Sequence, residues 1–118
     1  MPTTTAGYLV RRTADAPTVP CPCGDSTRVL TAADGAPLSL HVTSIRDAVR
    51  HYHRETTEVY YILAGVGKME LNGDWVDLEP GSVLWIEPGT RHRLVSEMGI
   101  QTIVVALPAF DAADEYFD

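Results

Sequence analysis

The chain has 118 residues, of which 45% are hydrophobic and 21% charged, and its formal net charge is −7. This length gives room for one domain with one hydrophobic core. Sixteen Asp and Glu against nine Lys and Arg argue against a nucleic-acid partner, because binding to phosphates needs a basic surface. No apolar stretch approaches the roughly 20 residues of a membrane-spanning helix, so no membrane partner is expected either.

The N-terminal region, residues 1–25, is rich in Thr, Pro and Ala and has little periodicity. AGYLVRR is a candidate for a short strand, and TADAPTVPCPCGDS is predicted to be a loop or a connection between strands. No charged start precedes an apolar block, so we expect no signal peptide and a cytoplasmic location. Cys21 and Cys23 are one residue apart, a poor spacing for a disulfide between them.

From about residue 26, short apolar segments alternate with turn residues, as in an all-β sandwich or barrel. The segments are RVLTA, PLSLHVTSI, EVYYILA, KMEL, WVDL, SVLWI, HRLVSE and IQTIVVAL. Asn72-Gly73 is the strongest hairpin signal, and no segment sustains a helical period. We predict one β-barrel over residues 26–108, between an N-terminal extension (1–25) and an acidic tail (109–118) on or beyond the surface.

The segment EVYYILA is apolar on both of its faces. Alternate residues of a strand point to opposite faces, so Tyr60 and Ile62 share the face of Glu58, whereas Val59, Tyr61 and Leu63 lie on the other. A strand that is apolar on both faces is covered on both. In a domain without helices, we expect a second subunit as the outer cover and therefore a homodimer. The alternative cover is the N-terminal extension.

The stretch HYHRETTE concentrates residues that bind metals. His51 and His53 lie on one face of an extended segment, Glu58 follows after a short connection, and His92 comes after the Pro88-Gly89 turn. Three imidazoles and a carboxylate suit a divalent transition metal such as Mn, Fe, Co, Ni, Cu or Zn, and Ca or Mg would prefer oxygen ligands. Four protein ligands leave open positions, as catalytic metal sites do. Taken singly, each residue could equally belong to a polar strand face.

These residues resemble the two sequence motifs of the cupin superfamily. HYHRETTEVYYILAG is similar to the first motif, with His51, His53, Glu58 and a glycine at 65. GSVLWIEPGTRH is similar to the second motif, in which Gly81, Gly89 and His92 match. Glu87 stands where the motif has a proline, and Ser96 stands where it has an asparagine.

The resemblance covers about residues 35–107 and implies a jelly-roll β-barrel, the double-stranded β-helix. It also implies frequent dimers and one metal ion held by His51, His53, Glu58 and His92. A small cupin of this kind would be a metal-dependent enzyme acting on a small oxygen-rich molecule, as a dioxygenase or as a sugar or polyketide isomerase, cyclase or lyase. The alternatives are a pocket that binds or senses a small molecule without turnover, and a structural, storage-like β-sandwich. Neither the fold nor the ligand set distinguishes among these activities.

Other side chains are candidates for secondary roles. We name Glu58 and Tyr60 as catalytic candidates that could move protons, although Tyr60 could equally fill the core. We interpret His41 as a partly exposed strand residue. Arg91 and Arg93 are expected at the surface, and the two tryptophans, Trp75 and Trp85, in the core or an interface.

Overall fold

The computed structural model describes residues 7–118. Eight strands make up most of this part, and they are β1 (Thr18–Cys21), β2 (Gly24–Leu30), β3 (Ser39–Asp47), β4 (Thr57–Ala64), β5 (Gly67–Leu71), β6 (Asp74–Leu78), β7 (Val83–Ile86) and β8 (His92–Leu107). The helices of this part are 3₁₀ turns at Thr13–Asp15, Ala32–Asp34 and Ala112–Asp114. None of its helices is long and apolar enough to cross a membrane.

The long strand β8 joins the two halves of the barrel. Its C-terminal half lies between β3 and β4, in an antiparallel order β1-β2-β3-β8-β4-β7. Its first residues, His92–Val95, pair instead with β5, which forms a hairpin with β6. The sequence suggested two strands separated by Met98-Gly99. The strand continues through Met98-Gly99 because it pairs with other strands both before and after this point. Gly99 allows the strand to bend here with a φ of +98°.

The all-β prediction is confirmed, and each segment predicted as a strand from residue 28 onward overlaps an observed strand. Asn72 and Gly73 connect β5 to β6 with φ values of 51° and 93°, as a type I′ turn requires. The N-terminal expectations are wrong in two places. Residues 7–12 are not a strand, and β1 forms within the stretch predicted as a loop, because it can pair with β2. The division into extension, barrel and tail stays a prediction.

The core lies inside one half of the barrel. It is filled by side chains at alternate positions of the strands, among them Ile45, Ile62, Met69, Leu94 and Ile100. Burial of such a side chain stabilises the fold by about 1.5–3 kcal/mol. Next to the core the barrel encloses a cavity lined by both polar and apolar side chains, which leaves room for a site.

Both tryptophans are exposed, so the expectation of a core position is wrong. Trp75 is 50% exposed on β6, and Trp85 is 72% exposed on β7. Trp85 lies between the buried Leu84 and Ile86 and therefore points outward. The neighbours of Trp75 in β6 are themselves exposed. An interface role for either one stays a prediction.

The two cysteines form a disulfide, which corrects the expectation from their spacing. Pro22 and Cys23 are the two turn residues of the β1–β2 hairpin, in which Cys21 pairs with Gly24. This tight reversal brings the Cα atoms of Cys21 and Cys23 to 5.1 Å, within the range that a disulfide spans. The bonded pair lies at the wall of the barrel cavity.

Candidate metal centre

Strand pairing brings the four predicted metal ligands together. His51 forms an isolated antiparallel bridge with His92, the first residue of β8. Glu58 is the second residue of β4, just after the segment that carries His53. One possible ligand atom from each of the four side chains lies within 4.8 Å of the others. All four residues are buried, so the spacing of the motif predicts the cluster correctly.

The backbone fixes the orientation of all three imidazoles. Nδ1 of His51 lies 2.8 Å from the carbonyl oxygen of Val49, and Nδ1 of His92 lies 2.9 Å from that of Thr90. Nδ1 of His53 contacts the carbonyl oxygen of Asp114 at 2.8 Å. Since a carbonyl only accepts, each Nδ1 donates its proton there. In the neutral form of such a ring, the Nε2 atom is then left with a free lone pair, which is the form that binds a metal.

The buried polar atoms of the cluster converge without satisfying one another. Oε1 of Glu58 lies 3.2 Å from Nε2 of His53 and 3.1 Å from Nε2 of His92. Despite these distances, none of the three atoms has a partner with hydrogen-bond geometry among residues 7–118. Burying polar atoms without hydrogen-bond partners costs free energy unless another group pairs with them. An N/O set that points into one space fits a divalent transition metal.

The charges of the cluster favour a shared proton when no metal is bound. Burial alone would raise the pKa of Glu58, but His53 and His92 outweigh this effect and hold that pKa well below its usual range. Burial would likewise lower the pKa of His53, yet Glu58 and the Asp114 carbonyl raise it to about 9. Burial, helped by His92, lowers the pKa of His51 to about 4. A metal ion would therefore displace a proton from the His53–Glu58 pair.

Tyr60 lies beside the cluster on the inner face of β4. It is buried, its ring centroid is 6.1 Å from that of His92, and its side chain lines the barrel cavity. Burial, followed by the nearby Glu58 carboxylate, raises the pKa of Tyr60 well above its usual value. The phenol therefore keeps its proton and can donate a hydrogen bond into the cavity. Its catalytic role, like that of Glu58, stays a prediction.

The C-terminal segment lies largely on the surface, as one of the two expectations has it, but it does not trail off the barrel, because Asp114 is buried beside the site. The carboxylate of Asp114 is buried and accepts hydrogen bonds from the backbone N–H groups of Arg54 and Glu55 and from the hydroxyl of Thr56. Tyr116 forms a backbone bridge with Tyr52. The segment is held because it satisfies the polar groups of the loop between His53 and β4.

The cavity next to the cluster has a volume of about 350 Å³, the size of a pocket for a small molecule. His51, His53, Glu58 and Tyr60 line one part of it, and side chains of β2 and β3 line another. His41 is among the latter and is buried, so its interpretation as a partly exposed residue is wrong. It points inward because it alternates with Leu40 and Val42 on the outer face, and its ring packs edge-on against Phe110.

Arg28 and Ser26 line the cavity as well, and the sequence analysis did not single them out. Arg28 pairs in register with His41, and Ser26 with Thr43. Alternation along β2, matched to β3, was the signal that could have placed them inside.

The prediction that Arg91 and Arg93 lie at the surface is confirmed in part, since both side chains are about one third exposed.

Both departures from the second motif leave the turns intact. Ser96 replaces the expected asparagine, and its hydroxyl donates to the carbonyl of Val66 at 2.6 Å and accepts from the N–H of Gly99 at 3.1 Å. Glu87 replaces the expected proline, and its carbonyl accepts from the N–H of Thr90 at 3.2 Å. The turn that presents His92 is therefore formed.

Comparison with known proteins agrees with this geometry. A glucose-6-phosphate isomerase of Thermococcus gammatolerans is 34% identical over 73 residues, which are 56% of this chain and 39% of the isomerase. This chain thus spans well under half the length of that relative. An L-ectoine synthase of Mycobacteroides abscessus is 30% identical over 87 residues, 70% of this chain and 67% of the synthase.

A structure comparison covers nearly the whole chain, and a family model covers about half of it. A crystal structure of a protein from Planctomyces limnophilus is 35% identical and superposes with a TM-score of 0.88 over 97% of this chain and 100% of that one. The family model of the cupin domain matches residues 43–105, which is more than half of the chain and includes all four clustered residues. The chain belongs to the cupin family.

Proposed function

We propose that this chain binds one divalent transition metal through His51, His53, Glu58 and His92, and that it is an enzyme for a small oxygen-rich molecule. The observation that carries the proposal is the set of buried, unpaired Nε2 and Oε1 atoms that converge beside the cavity. When bound, such a metal would polarise a substrate oxygen as a Lewis acid. Fe, Mn, Ni, Zn, Co and Cu all suit this ligand set.

Within this class, we favour isomerisation, cyclisation or elimination over dioxygen chemistry. Two relatives of similar sequence are named as an isomerase and a synthase, and neither name describes an oxygenase. Tyr60 would donate its phenolic proton, or a hydrogen bond, to a substrate oxygen in the cavity. The buried walls around it would exclude water from the reacting group.

We also propose that two copies of the chain associate through the outer face of β4 and β7. This face carries large apolar side chains that are between 37% and 72% exposed, namely Val59, Tyr61, Leu63, Val83 and Trp85. The described part of the N-terminal extension does not cover it, because β1 lies at the opposite end of the sheet order from β7. An uncharged apolar patch of this kind is typical of an interaction surface.

The test of the proposed function is metal content followed by turnover. We expect close to one equivalent of a transition metal in the wild-type protein after reconstitution, and none in the His51→Ala, His53→Ala double variant. His41→Gln is the matched control, since it removes a buried cavity histidine that is not in the cluster and should keep the metal. Absence of metal from the reconstituted wild-type protein would contradict the proposal.

Turnover then separates an enzyme from a binding module. Glucose 6-phosphate isomerisation and L-ectoine formation are the first reactions to assay, and oxygen consumption is the third. Tyr60→Phe should keep the metal and lose turnover. A binding or sensing protein would show stabilisation by a ligand without turnover.

A further inference from the structure

The cavity contains a second group of unsatisfied polar atoms, on the wall formed by β2. Nε of Arg28 and Oγ of Ser26 are both buried, and within residues 7–118 neither has a hydrogen-bond partner. Ser26 is only 2% exposed. Both side chains line the same cavity as the metal cluster, but they lie on β2, three strands away from Glu58 on β4 in the sheet order. The cavity therefore has polar groups on β2 in addition to those of the metal cluster.

The arginine packs against an aromatic ring and forms no salt bridge among the described residues. Its guanidinium lies over the ring of Phe110, with the Cζ atom 5.2 Å from the ring centroid. Arg28 takes part in none of the salt bridges among the described residues. Its partner in register, His41, has its pKa lowered to about 4 by burial and by the Arg28 charge, so it stays neutral at pH 7. A buried, unpaired N–H of a guanidinium requires an acceptor, and an anion is the best one.

Glu115 is the acidic group of the cavity outside the cluster. Burial raises the pKa of this carboxyl, which favours its neutral form. One guanidinium balances one negative charge, which matches a carboxylate better than a doubly charged phosphate. The adjacent hydroxyl of Ser26 can donate to a second carboxylate oxygen.

We propose that Arg28 and Ser26 bind a carboxylate of the substrate, so that the molecule spans the cavity with an oxygen-bearing end at the metal cluster and a carboxylate at β2. The metal-bound end of this arrangement rests on the proposed function, whereas the carboxylate site does not. A cavity of about 350 Å³ restricts the molecule to a small organic acid.

The first arm of the test uses metal-free protein. Calorimetry with glutarate should show binding to the wild-type protein that weakens at least fivefold in Arg28→Gln and in Ser26→Ala. Arg46→Gln, which changes an arginine outside the cavity, should bind as the wild type does. Equal affinity of the wild-type and Arg28→Gln proteins for glutarate would overturn the proposal. Inorganic phosphate that binds more tightly than glutarate and depends on Arg28 would overturn the choice of a carboxylate.

The second arm uses protein loaded with Co²⁺. Dicarboxylic 2-oxo acids of four, five and six carbons are each compared with the monocarboxylic 2-oxo acid of the same length, with binding followed by the cobalt absorption bands. The best dicarboxylate should bind at least tenfold more tightly than its analogue, and Arg28→Gln should abolish this preference while leaving the analogue unaffected. No preference at any length would overturn the spanning arrangement. Failure to take up cobalt, with Arg28-dependent glutarate binding intact, would contradict the proposed function alone.

Discussion

The backbone carbonyl of Asp114 lies 2.8 Å from Nδ1 of His53, 61 residues earlier in the chain. The carboxylate of the same residue caps the loop that follows His53 by accepting from Arg54, Glu55 and Thr56. One residue near the C-terminus therefore orients a candidate metal ligand and also holds the loop that leads from this ligand to β4. The C-terminal segment is a supporting part of the metal centre.

This arrangement predicts the effect of Asp114→Asn. An amide cannot accept all the hydrogen bonds of the carboxylate, so the loop should loosen, with a loss of about 2–3 kcal/mol in the free energy of unfolding. Because His53 loses its fixed orientation, metal affinity should fall about 10- to 100-fold. Urea denaturation and competition with a metal chelator measure the two effects.

Asp111→Asn is the matched control for this prediction. Asp111 is exposed and caps the last 3₁₀ turn through the N–H of Ala113, and asparagine is as good a cap. Its metal affinity should equal that of the wild type. Equal metal affinity of the Asp114→Asn variant would show that the loop and His53 hold their places without this carboxylate.

The cluster of His51, His53, Glu58 and His92 could be predicted from the sequence because both cupin motifs are present with their internal spacing. Strand pairing then brings these residues together. The contacts of Asp114 could not be predicted in this way, because they depend on pairing between segments far apart in the chain, and the inward position of Arg28 could be inferred only once β2 was matched to β3. The N-terminal β1 likewise gains its strand structure from β2, and its own sequence has little strand character.

The pH dependence of stability should contain a contribution from His41. Burial lowers its pKa to about 4 in the folded protein, whereas the unfolded chain has a value near 6.5. The unfolded state therefore binds a proton that the folded state does not as the pH falls from 6.5 to 4, and stability decreases over this window. One proton corresponds to a slope of at most about 1.4 kcal/mol per pH unit.

His41→Gln removes this contribution. The difference in unfolding free energy between the wild-type protein and the variant should be constant above pH 7. Below pH 6.5, the wild-type protein should lose stability relative to the variant. Taking the difference cancels the other titrating groups, including His51 and His53, which both proteins share. A difference independent of pH from 7 to 4 would show that His41 is protonated equally easily in both states.

Two of the motif glycines, Gly65 and Gly81, should differ in their tolerance of a side chain. Both have φ near +90°, a conformation that costs about 1–3 kcal/mol for alanine. A Cβ atom at Gly65 would lie 2.5 Å from the carbonyl oxygen of Gly99, whereas one at Gly81 would meet nothing within 4 Å. Gly65→Ala should therefore destabilise the fold by about 1–3 kcal/mol more than Gly81→Ala, as measured by urea denaturation. Equal losses of unfolding free energy in the two variants would mean that the backbone of β8 shifts at Gly99 to accommodate the added Cβ atom.

The apolar outer face of β4 and β7 predicts how substitutions of two exposed tryptophans affect the oligomeric state. Trp85 lies on β7 opposite Val59 of β4, within the face proposed to pair, and Trp75 lies on the β5–β6 hairpin. A lysine within a paired apolar face would be buried without a partner, so Trp85→Lys should convert a dimer into a monomer. Trp75→Lys changes an equally large exposed side chain outside this face and should leave the dimer intact. Size-exclusion chromatography with light scattering at micromolar concentration measures both, and a monomeric wild-type protein would refute the proposed dimer.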